Sequence, residues 1–538
     1  MQRLLVANRG EIALRIFRAC RAAGIETVAV AAPDDLAALH ARSADVLVEI
    51  ASYLDAAEHV RAAREAGADA VHPGYGFLAE SPELAEAVLA AGLTWVGPRP
   101  ASLRAGGDKL AAKETARTAG VPVLPTGSPA EVGYPLLVKA AAGGGGRGMR
   151  VVRSQAELED ALAAARREAA AAFGDDTVFC ERYLERPRHV EVQLLADTHG
   201  AVAALGEREC SIQRRHQKVL EESPSPALDP ALRAGLSGAA VAVAGAIGYE
   251  SAGTVEFLLA GREFFFLELN ARIQVEHPVT ELVTGVDLVA EQLRIAAGEH
   301  LSSRVTDCRS TGHAVEVRLY AEDPRTFLPQ TGRLERLRLP QGIRVDSGVA
   351  EGDQIGTGYD PLVAKLIAHG DSRDAALDRL AAALREAEVG GVTTNLPFLR
   401  WLVAHPLVRA ARTTTAFLTE NPPLSQPPAT PPGPWSGAWR LNLEPPPPAP
   451  IPDLDAAAHV HASGAAEQSA VTAPMPGTVI KVLVEPGAAV AAREPLVVLE
   501  AMKMETPLVS PYDATVRAVH VAEGDRVTGG AVVVELEE

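Results

Sequence analysis

The chain has 538 residues, 47% hydrophobic and 22% charged, with a formal net charge of -18. That length exceeds what one core can fill, so three or four packed units are expected of an otherwise ordinary globular composition. The acidic balance argues against nucleic-acid partners, whose phosphates need a surplus of Lys and Arg. The chain opens on an apolar run from Leu4 to Ala7, then Asn8-Arg9-Gly10-Glu11, then a helical pattern through Ile12, Leu14, Ile16, Phe17 and Cys20. A second strand is predicted over 27–31, and strand-like runs recur at Ala70-Val71-His72 and Thr94-Trp95-Val96-Gly97 between helical stretches. Residues 1–107 therefore read as a doubly wound α/β domain. Its single glycine turn is weak evidence for a dinucleotide, because G-x-G-x-x-G is absent. Charged Arg9 and Glu11 interrupt the first apolar run before a signal-peptide core forms, and no stretch approaches membrane-spanning length. Four cysteines, Cys20, Cys180, Cys210 and Cys308, lack any C-x-x-C spacing. A cytoplasmic, reducing setting without structural zinc or membrane contact is expected.

Residues 108–310 mix helices and strands without simple alternation. No G-x-x-x-x-G-K-[ST] occurs, but Tyr134-Pro135-Leu136-Leu137-Val138-Lys139 reads as a strand carrying a lysine, and Gly143-Gly144-Gly145-Gly146-Arg147-Gly148 follows it. Consecutive glycines free backbone N–H groups to approach phosphate oxygens, so a lid over phosphates fits better than a linker between two strands. Farther on, the strands Thr254 to Leu259 and Phe264 to Asn270 are joined near residue 262, which sets Glu256 nearly opposite Glu268. Like charges so placed destabilise a sheet unless a cation lies between them. Asn270 shares the face of Glu268, completing a hard-oxygen set for Mg²⁺ or Mn²⁺.

A further α+β stretch covers 311–420. Prolines then dominate a segment over 421–470, which is expected to act as a stiff, partly extended tether. Residues 471–538 hold an internal repeat in which Gly477 to Val490 aligns with Ala514 to Val527, with period-two alternation and glycine turns. Two such halves predict a small, flattened all-β sandwich. Glu500-Ala501-Met502-Lys503-Met504-Glu505 falls between the halves, which puts Lys503 at a hairpin tip. Exposed methionines beside a lysine have no folding benefit and read as a recognised surface.

Ala501-Met502-Lys503-Met504, preceded by Pro474-Met475-Pro476-Gly477, resembles the attachment motif of biotinyl carrier domains, a barrel-sandwich hybrid fold, more closely than the related lipoyl domains. The region from about 1 to 420 resembles biotin carboxylase, an ATP-grasp enzyme with N-terminal, ATP-grasp and C-terminal domains. The stretches carrying that resemblance are Ala7 to Ala13, His72-Pro73-Gly74-Tyr75-Gly76-Phe77-Leu78, Gly106-Gly107-Asp108-Lys109, Arg188-His189-Val190-Glu191, Gln213 to Lys218 and Asn270 to Pro278. The joint layout resembles the alpha subunit of biotin-dependent acyl-CoA carboxylases. The resemblance implies a ligase in which ATP phosphorylates bicarbonate to carboxyphosphate. CO₂ released beside biotin is then captured, and carboxybiotin goes to a separate carboxyltransferase (beta) subunit.

Carried over by position, Lys109, Lys139 and Lys218 contact nucleotide phosphates or bicarbonate, with Gly143, Gly144, Gly145 and Gly146 as lid. By the same resemblance His189 and His216 should help line the ATP site and Glu181 should lie near the adenine. The same resemblance implies that Arg272 should hold bicarbonate, Glu276 should remove its proton, Arg318 should stabilise the biotin anion and Tyr75 should lie near the biotin ring. Biotin protein ligase is implied as the modifying partner, and a homo-oligomer of the carboxylase part is expected. Two departures occur. Arg182 stands where the family often has lysine, and residues 127–133, expected to be a surface loop, form a shortened stretch. A complete pyruvate or urea carboxylase is excluded, because no carboxyltransferase domain fits between 420 and the carrier. A non-catalytic biotin carrier or binding protein with a decayed ATP site is the alternative, opposed by the intact set Lys139, Glu256, Glu268, Asn270, Arg272, Glu276 and Arg318. Trp435 to Asn442 hints at a remnant of the adaptor by which relatives grip their partner. Acetyl-, propionyl- and 3-methylcrotonyl-CoA all remain open as acceptors.

Overall fold

The computed structural model describes residues 1–141, 149–173, 175–214, 217–425, 470–473, 477–501, 504–527 and 530–537. The glycines 143–146, His216, residues 426–469 of the proline-rich tether with its Trp435–Asn442 remnant, and Lys503 lie outside these residues.

Five parallel strands form the first sheet, in the order Val46–Glu49, Glu26–Ala31, Arg3–Val6, Ala70–His72 and Thr94–Trp95. Leu4, Leu5 and Val6 are buried on both faces, as strands flanked by helices on each side must be. Strand order reverses beside Arg3–Val6, so the turns after it and after Ala70–His72 border the switch point where open α/β sheets bind ligands. Asn8 ties these turns together, its Nδ2 donating to the carbonyls of Pro73 and Tyr75, both at 2.7 Å.

The second sheet is antiparallel and eight-stranded. Its order is Glu263–Asn270, Ser251–Ala260, Arg188–Ala196, Val202–Arg214, Gln217–Ser223, His313–Tyr320, Leu362–Gly370 and Arg344–Ser347. The expected division at 310/311 therefore falls between strands of one continuous sheet, and side chains from both sides share its face. Gly348, just after the edge strand Arg344–Ser347, lies against the start of the helix Gly10–Ala22: a Cβ there would meet the Glu11 nitrogen at 2.6 Å.

A small four-stranded sheet, Thr126–Gly127, Val178–Arg182, Leu136–Ala140 and Arg150–Val152, packs under the helix Leu158–Phe173 and carries Lys139 and Glu181. The expected surface loop over 127–133 is instead the end of the strand Thr126–Gly127 followed by the helix Pro129–Val132. Pro129 at the first helical position and a Ser128–Glu131 capping box stabilise so short a turn.

The C-terminal part forms two four-stranded sheets over a core that includes Val479, Leu496, Leu499, Val516, Val533 and Leu536. The strands Gly477–Val482 and Ala489–Val490 recur, at the shift read from the repeat, as Ala514–Val519 and Arg526–Val527. Gly477–Val482 pairs with Arg526–Val527, and Ala489–Val490 with Ala514–Val519, so each sheet mixes strands of both halves. Among the described residues no helix is long and apolar enough to cross a membrane.

A buried ion-pair cluster fastens the sheet to the helix Arg373–Glu386. Glu222 accepts from His313 Nε2 at 2.7 Å and from Arg373 Nε and Nη2 at 2.6 and 2.9 Å. Burial opposes its ionisation, but His313 and Arg373 outweigh burial and hold the carboxyl below its usual range. A depressed folded pKa stabilises above the unfolded value, and that stability is lost as pH falls through the folded one. Glu222→Gln should therefore cost about 3 kcal/mol at neutral pH and flatten part of the acid decline in thermal midpoint, measured by calorimetry from neutral to acid.

Candidate active site

The site is built on the face where the eight-stranded sheet meets the switch point. The hairpin Ser251–Ala260/Glu263–Asn270 pairs Glu256 with Glu268 and Thr254 with Asn270, with a bulge after Glu256. Asn270 Nδ2 donates to Glu268 Oε1 at 3.4 Å, and its Oδ1 accepts from Arg272 Nη2 at 3.0 Å. Among the described residues that long contact is the one hydrogen bond to the half-buried Glu268 side chain. Two opposed carboxylates and an amide oxygen match the donor chemistry of a hard divalent cation.

On its other edge Ser251–Ala260 pairs with Arg188–Ala196, which sets Glu191 opposite Glu256. Three carboxylates converge on one ammonium. Lys218 Nζ donates to Glu256 Oε1 at 2.8 Å, to Glu276 Oε1 at 2.6 Å and to Glu191 Oε2. Burial disfavours this charge, yet the carboxylates hold the lysine well above its usual range. His189 contacts Glu256 Oε2 at 2.7 Å through Nε2, while Gln213 Nε2 lies 3.0 Å from its Nδ1. Burial lowers the imidazole pKa and Glu256 raises it, with a net upward shift. His189 thus belongs to the carboxylate centre. Donor atoms of His189, Glu191 and Glu256 lie within 4.8 Å of one another, but the Lys218 ammonium is already their cation.

Glu191 gives its other oxygen to Arg208, which is 0% exposed. Three further Arg208 hydrogen bonds reach Gln193 Oε1 at 2.7 Å, Thr280 Oγ1 at 2.9 Å and Thr254 Oγ1 at 3.0 Å. A buried guanidinium with these four hydrogen bonds fixes three strands and one helix together. Sequence reasoning assigned no role to Glu191, Arg208, Gln274 or Glu221.

Glu276, 1% exposed, stands at the N-cap of the helix His277–Thr284. Its second oxygen accepts from Arg318 Nη2 at 2.9 Å, and Arg318 Nε donates to Glu221 Oε1 at 2.7 Å. Burial would raise the Glu276 pKa, but Lys218 and Arg318 overcome it and keep the carboxyl well below its usual range. Arg272 is held by Gln274 Oε1 at 2.7 Å, Asn270 Oδ1 at 3.0 Å and Glu80 Oε2 at 3.2 Å. Gln274 Nε2 in turn donates to Glu256 Oε1 at 3.2 Å. Tyr75 donates its hydroxyl proton to Glu11, whose Oε1 also lies 2.9 Å from Lys365 Nζ.

A second basic group lies toward the small sheet. Asp108 caps the helix Lys109–Thr118 through the Leu110 and Ala111 N–H groups, both at 3.0 Å, which sets Lys109 at its first position. Burial lowers the Lys109 pKa. Glu181 is buried between Lys113 and Lys139, the latter at 3.1 Å, and these lysines outweigh burial to keep it ionised. Lys113 is a further residue that sequence reasoning missed. Lys139 lies near the end of the strand that precedes the glycine run, and Arg150–Val152 returns antiparallel to it.

Four family models match the chain: "Biotin carboxylase, N-terminal domain" over residues 1–103, "Carbamoyl-phosphate synthase L chain, ATP binding domain" over 108–304, "Biotin carboxylase C-terminal domain" over 316–420, and "Biotin-requiring enzyme" over 469–536. Biotin carboxylase of Halalkalibacterium halodurans is 46% identical over 441 residues, covering 78% of this chain and 98% of that one. The propionyl-CoA carboxylase alpha chain of Ruegeria pomeroyi is also 46% identical, covering 78% of this chain and 68% of that one. Among solved structures, the Campylobacter jejuni biotin carboxylase–βγ-ATP complex superposes with a TM-score of 0.76 at 38% identity, covering 78% and 98% of the two chains. The biotin carboxylase domain dimer of Hydrogenobacter thermophilus 2-oxoglutarate carboxylase, solved with MgADP and bicarbonate, gives 0.77 at 43% identity with the same coverage. The architecture is that of the ATP-grasp enzymes. The chain belongs to the biotin carboxylase family and carries a biotinyl-type domain behind the carboxylase part.

Proposed function

We propose that the chain carboxylates biotin held on its own Lys503, using ATP and bicarbonate, and serves a carboxyltransferase on another chain that carboxylates an acyl-CoA. The observation that carries this reading is the buried centre of Glu191, Glu256, Glu276, Lys218 and Arg318, built on the same chain as a carrier fold. Biotin, once attached by a biotin protein ligase, supplies a mobile carrier for the carboxyl group.

Lys109, Lys139 and Lys218 oppose the charge of the transferring phosphoryl group, where electrostatic stabilisation dominates. Glu256, Glu268 and Asn270 would hold Mg²⁺ or Mn²⁺, which would neutralise phosphate oxygens. Arg272, with its planar fork pre-set by Asn270 and Gln274, binds bicarbonate. Glu276 accepts the bicarbonate proton. Its depressed pKa makes it a weak base while Lys218 and Arg318 are both on it. An arriving anion that draws these cations off makes the carboxylate more basic where the proton is released. Arg318 and Tyr75 serve the biotin ring.

The relatives named as propionyl-CoA and methylcrotonoyl-CoA carboxylase alpha chains support an acyl-CoA acceptor and a separate carboxyltransferase. The dimeric Hydrogenobacter domain supports a homo-oligomer. One relative, from Methanothermobacter thermautotrophicus and 47% identical, is named as part of a pyruvate carboxylase, so the acceptor panel includes 2-oxo acids. The test is capture of the full chain on avidin from its own cells, then addition of ATP, Mg²⁺, labelled bicarbonate and candidate acceptors. Label on one acyl-CoA is the expected result and identifies the substrate. Label on a 2-oxo acid would replace the acyl-CoA assignment, and no bicarbonate-dependent ATP turnover would favour a non-catalytic biotin carrier.

A further inference from the structure

Behind Arg318 the eight-stranded sheet buries two carboxyl groups that face one another. Glu221 and Glu316 are register partners on the strands Gln217–Ser223 and His313–Tyr320, so their side chains leave the same face, at the spacing of a cross-strand pair. Both are 0% exposed. Glu221 gives Oε1 to Arg318, while its Oε2 has no hydrogen-bond partner; for Glu316 neither oxygen has one among the described residues.

The surrounding charges are otherwise committed. Arg318, two residues along from Glu316, spans Glu221 and Glu276. Lys365 on the adjoining strand is bound to the Val275 carbonyl at 2.8 Å and to Glu11 at 2.9 Å. The helix His277–Thr284, packed on this strand, brings Glu276 at its cap and His277, which bonds the Gln274 carbonyl. Lys218, on the strand of Glu221, is shared by Glu191, Glu256 and Glu276. Two facing carboxyls, of which Glu221 alone is bonded to a cation, cannot both stay ionised when fully buried. Burial, with Glu221 and Glu276 nearby, pushes the Glu316 carboxyl well above its usual range against Lys365 and Arg318. Burial raises Glu221 to about 7.

We propose that Glu316 and Glu221 hold one proton between them in the resting protein, with Glu316 the neutral acid and Glu221 the carboxylate that aligns Arg318. The functional half rests on the role given to Arg318 above; the protonation half does not. In alkaline solution the O–H bond of Glu316 breaks and the proton leaves to solvent. The second carboxylate then competes with Glu276 and substrate for Arg318. Both acids are positioning residues, acting through Arg318.

Infrared difference spectroscopy of the full chain, parent minus Glu316→Gln, reads the proton directly. At neutral pH the parent should show a protonated-carboxyl C=O band that the variant has lost. No such band, or its persistence in the variant, overturns the proposal. If Glu316→Gln fails to fold, the band is titrated in the parent and in Glu221→Gln. Removing the neighbouring negative charge must move its disappearance to lower pH, and an unmoved titration overturns the pairing. In the kinetic arm, the alkaline decline of kcat/KM for free biotin should be lost in Glu316→Gln, relative to its own neutral value, and restored in Glu316→Asp. A decline unchanged in Glu316→Gln overturns the positioning role. Failure of the functional reading itself would appear instead as absent bicarbonate-dependent ATP turnover in the parent, with the infrared result intact.

Discussion

Replacing Lys218 with Met should lower bicarbonate-dependent ATP turnover by about two to three orders of magnitude and destabilise the protein by roughly 3–5 kcal/mol. Both effects come from one arrangement. The ammonium is the shared partner of Glu191, Glu256 and Glu276, all buried. Without it, Glu191 retains Arg208, Glu256 retains His189 and Glu276 retains Arg318, so the fold has residual pairing and should survive. On the proposed role of Lys218 the chemistry should not, because the freed carboxylates then repel the phosphates and bicarbonate that the lysine is proposed to attract. Turnover is measured with ATP, Mg²⁺ and bicarbonate, and stability by thermal unfolding of the same preparation. A variant that unfolds at lower temperature but turns over ATP like the parent would reduce Lys218 to a structural role. Glu191→Gln gives an independent comparison: it removes one negative charge from the centre while leaving the lysine, and its loss of turnover should be smaller.

The parts of this site that could be read in the chain were local ones. Alternation along Thr254 to Asn270 fixes the faces of Glu256 and Glu268, and one short turn fixes their register, so their opposition followed from residues that adjoin in sequence. The repeat in the last part of the chain worked for the same reason, since Gly477–Val482 and Ala514–Val519 carry the same alternation at the same spacing from their glycine turns. Glu191 opposite Glu256 could not be found this way. Its strand and that of Glu256 neighbour each other across a long intervening connection, and nothing local sets that register. Two acids each set between valines, Glu191 in Arg188–Ala196 and Glu316 in His313–Tyr320, were the available signal, because a buried carboxylate needs a partner. Residues 127–133 were misread for a different reason. The expected surface loop passed over a local signal, because Ser128, Pro129 and Glu131 together make a helix start.

The second large effect is expected at the other end of the chain. Lys503→Arg should abolish retention on avidin and abolish transfer of labelled carboxyl to any acceptor. In sequence Lys503 lies between Ala501 and Met504, which are paired on the antiparallel strands Pro495–Ala501 and Met504–Val509. Arginine keeps the positive charge, so solubility and local electrostatics are little changed. Its guanidinium, however, is effectively never deprotonated. Forming an amide with a carboxyl group requires a neutral amine nitrogen as nucleophile, which lysine can offer and arginine cannot. A charge-only role for Lys503 would survive the change, and a covalent role would not. Free biotin in excess should then restore ATP-dependent carboxylation in the variant, because the residues proposed for the ATP site all precede the carrier. Avidin blotting and label transfer, read on one preparation with and without free biotin, separate the possibilities. Retention on avidin would move the attachment point to another lysine. Lost retention without rescue by free biotin would mean that the carboxylase part does not act on biotin at all.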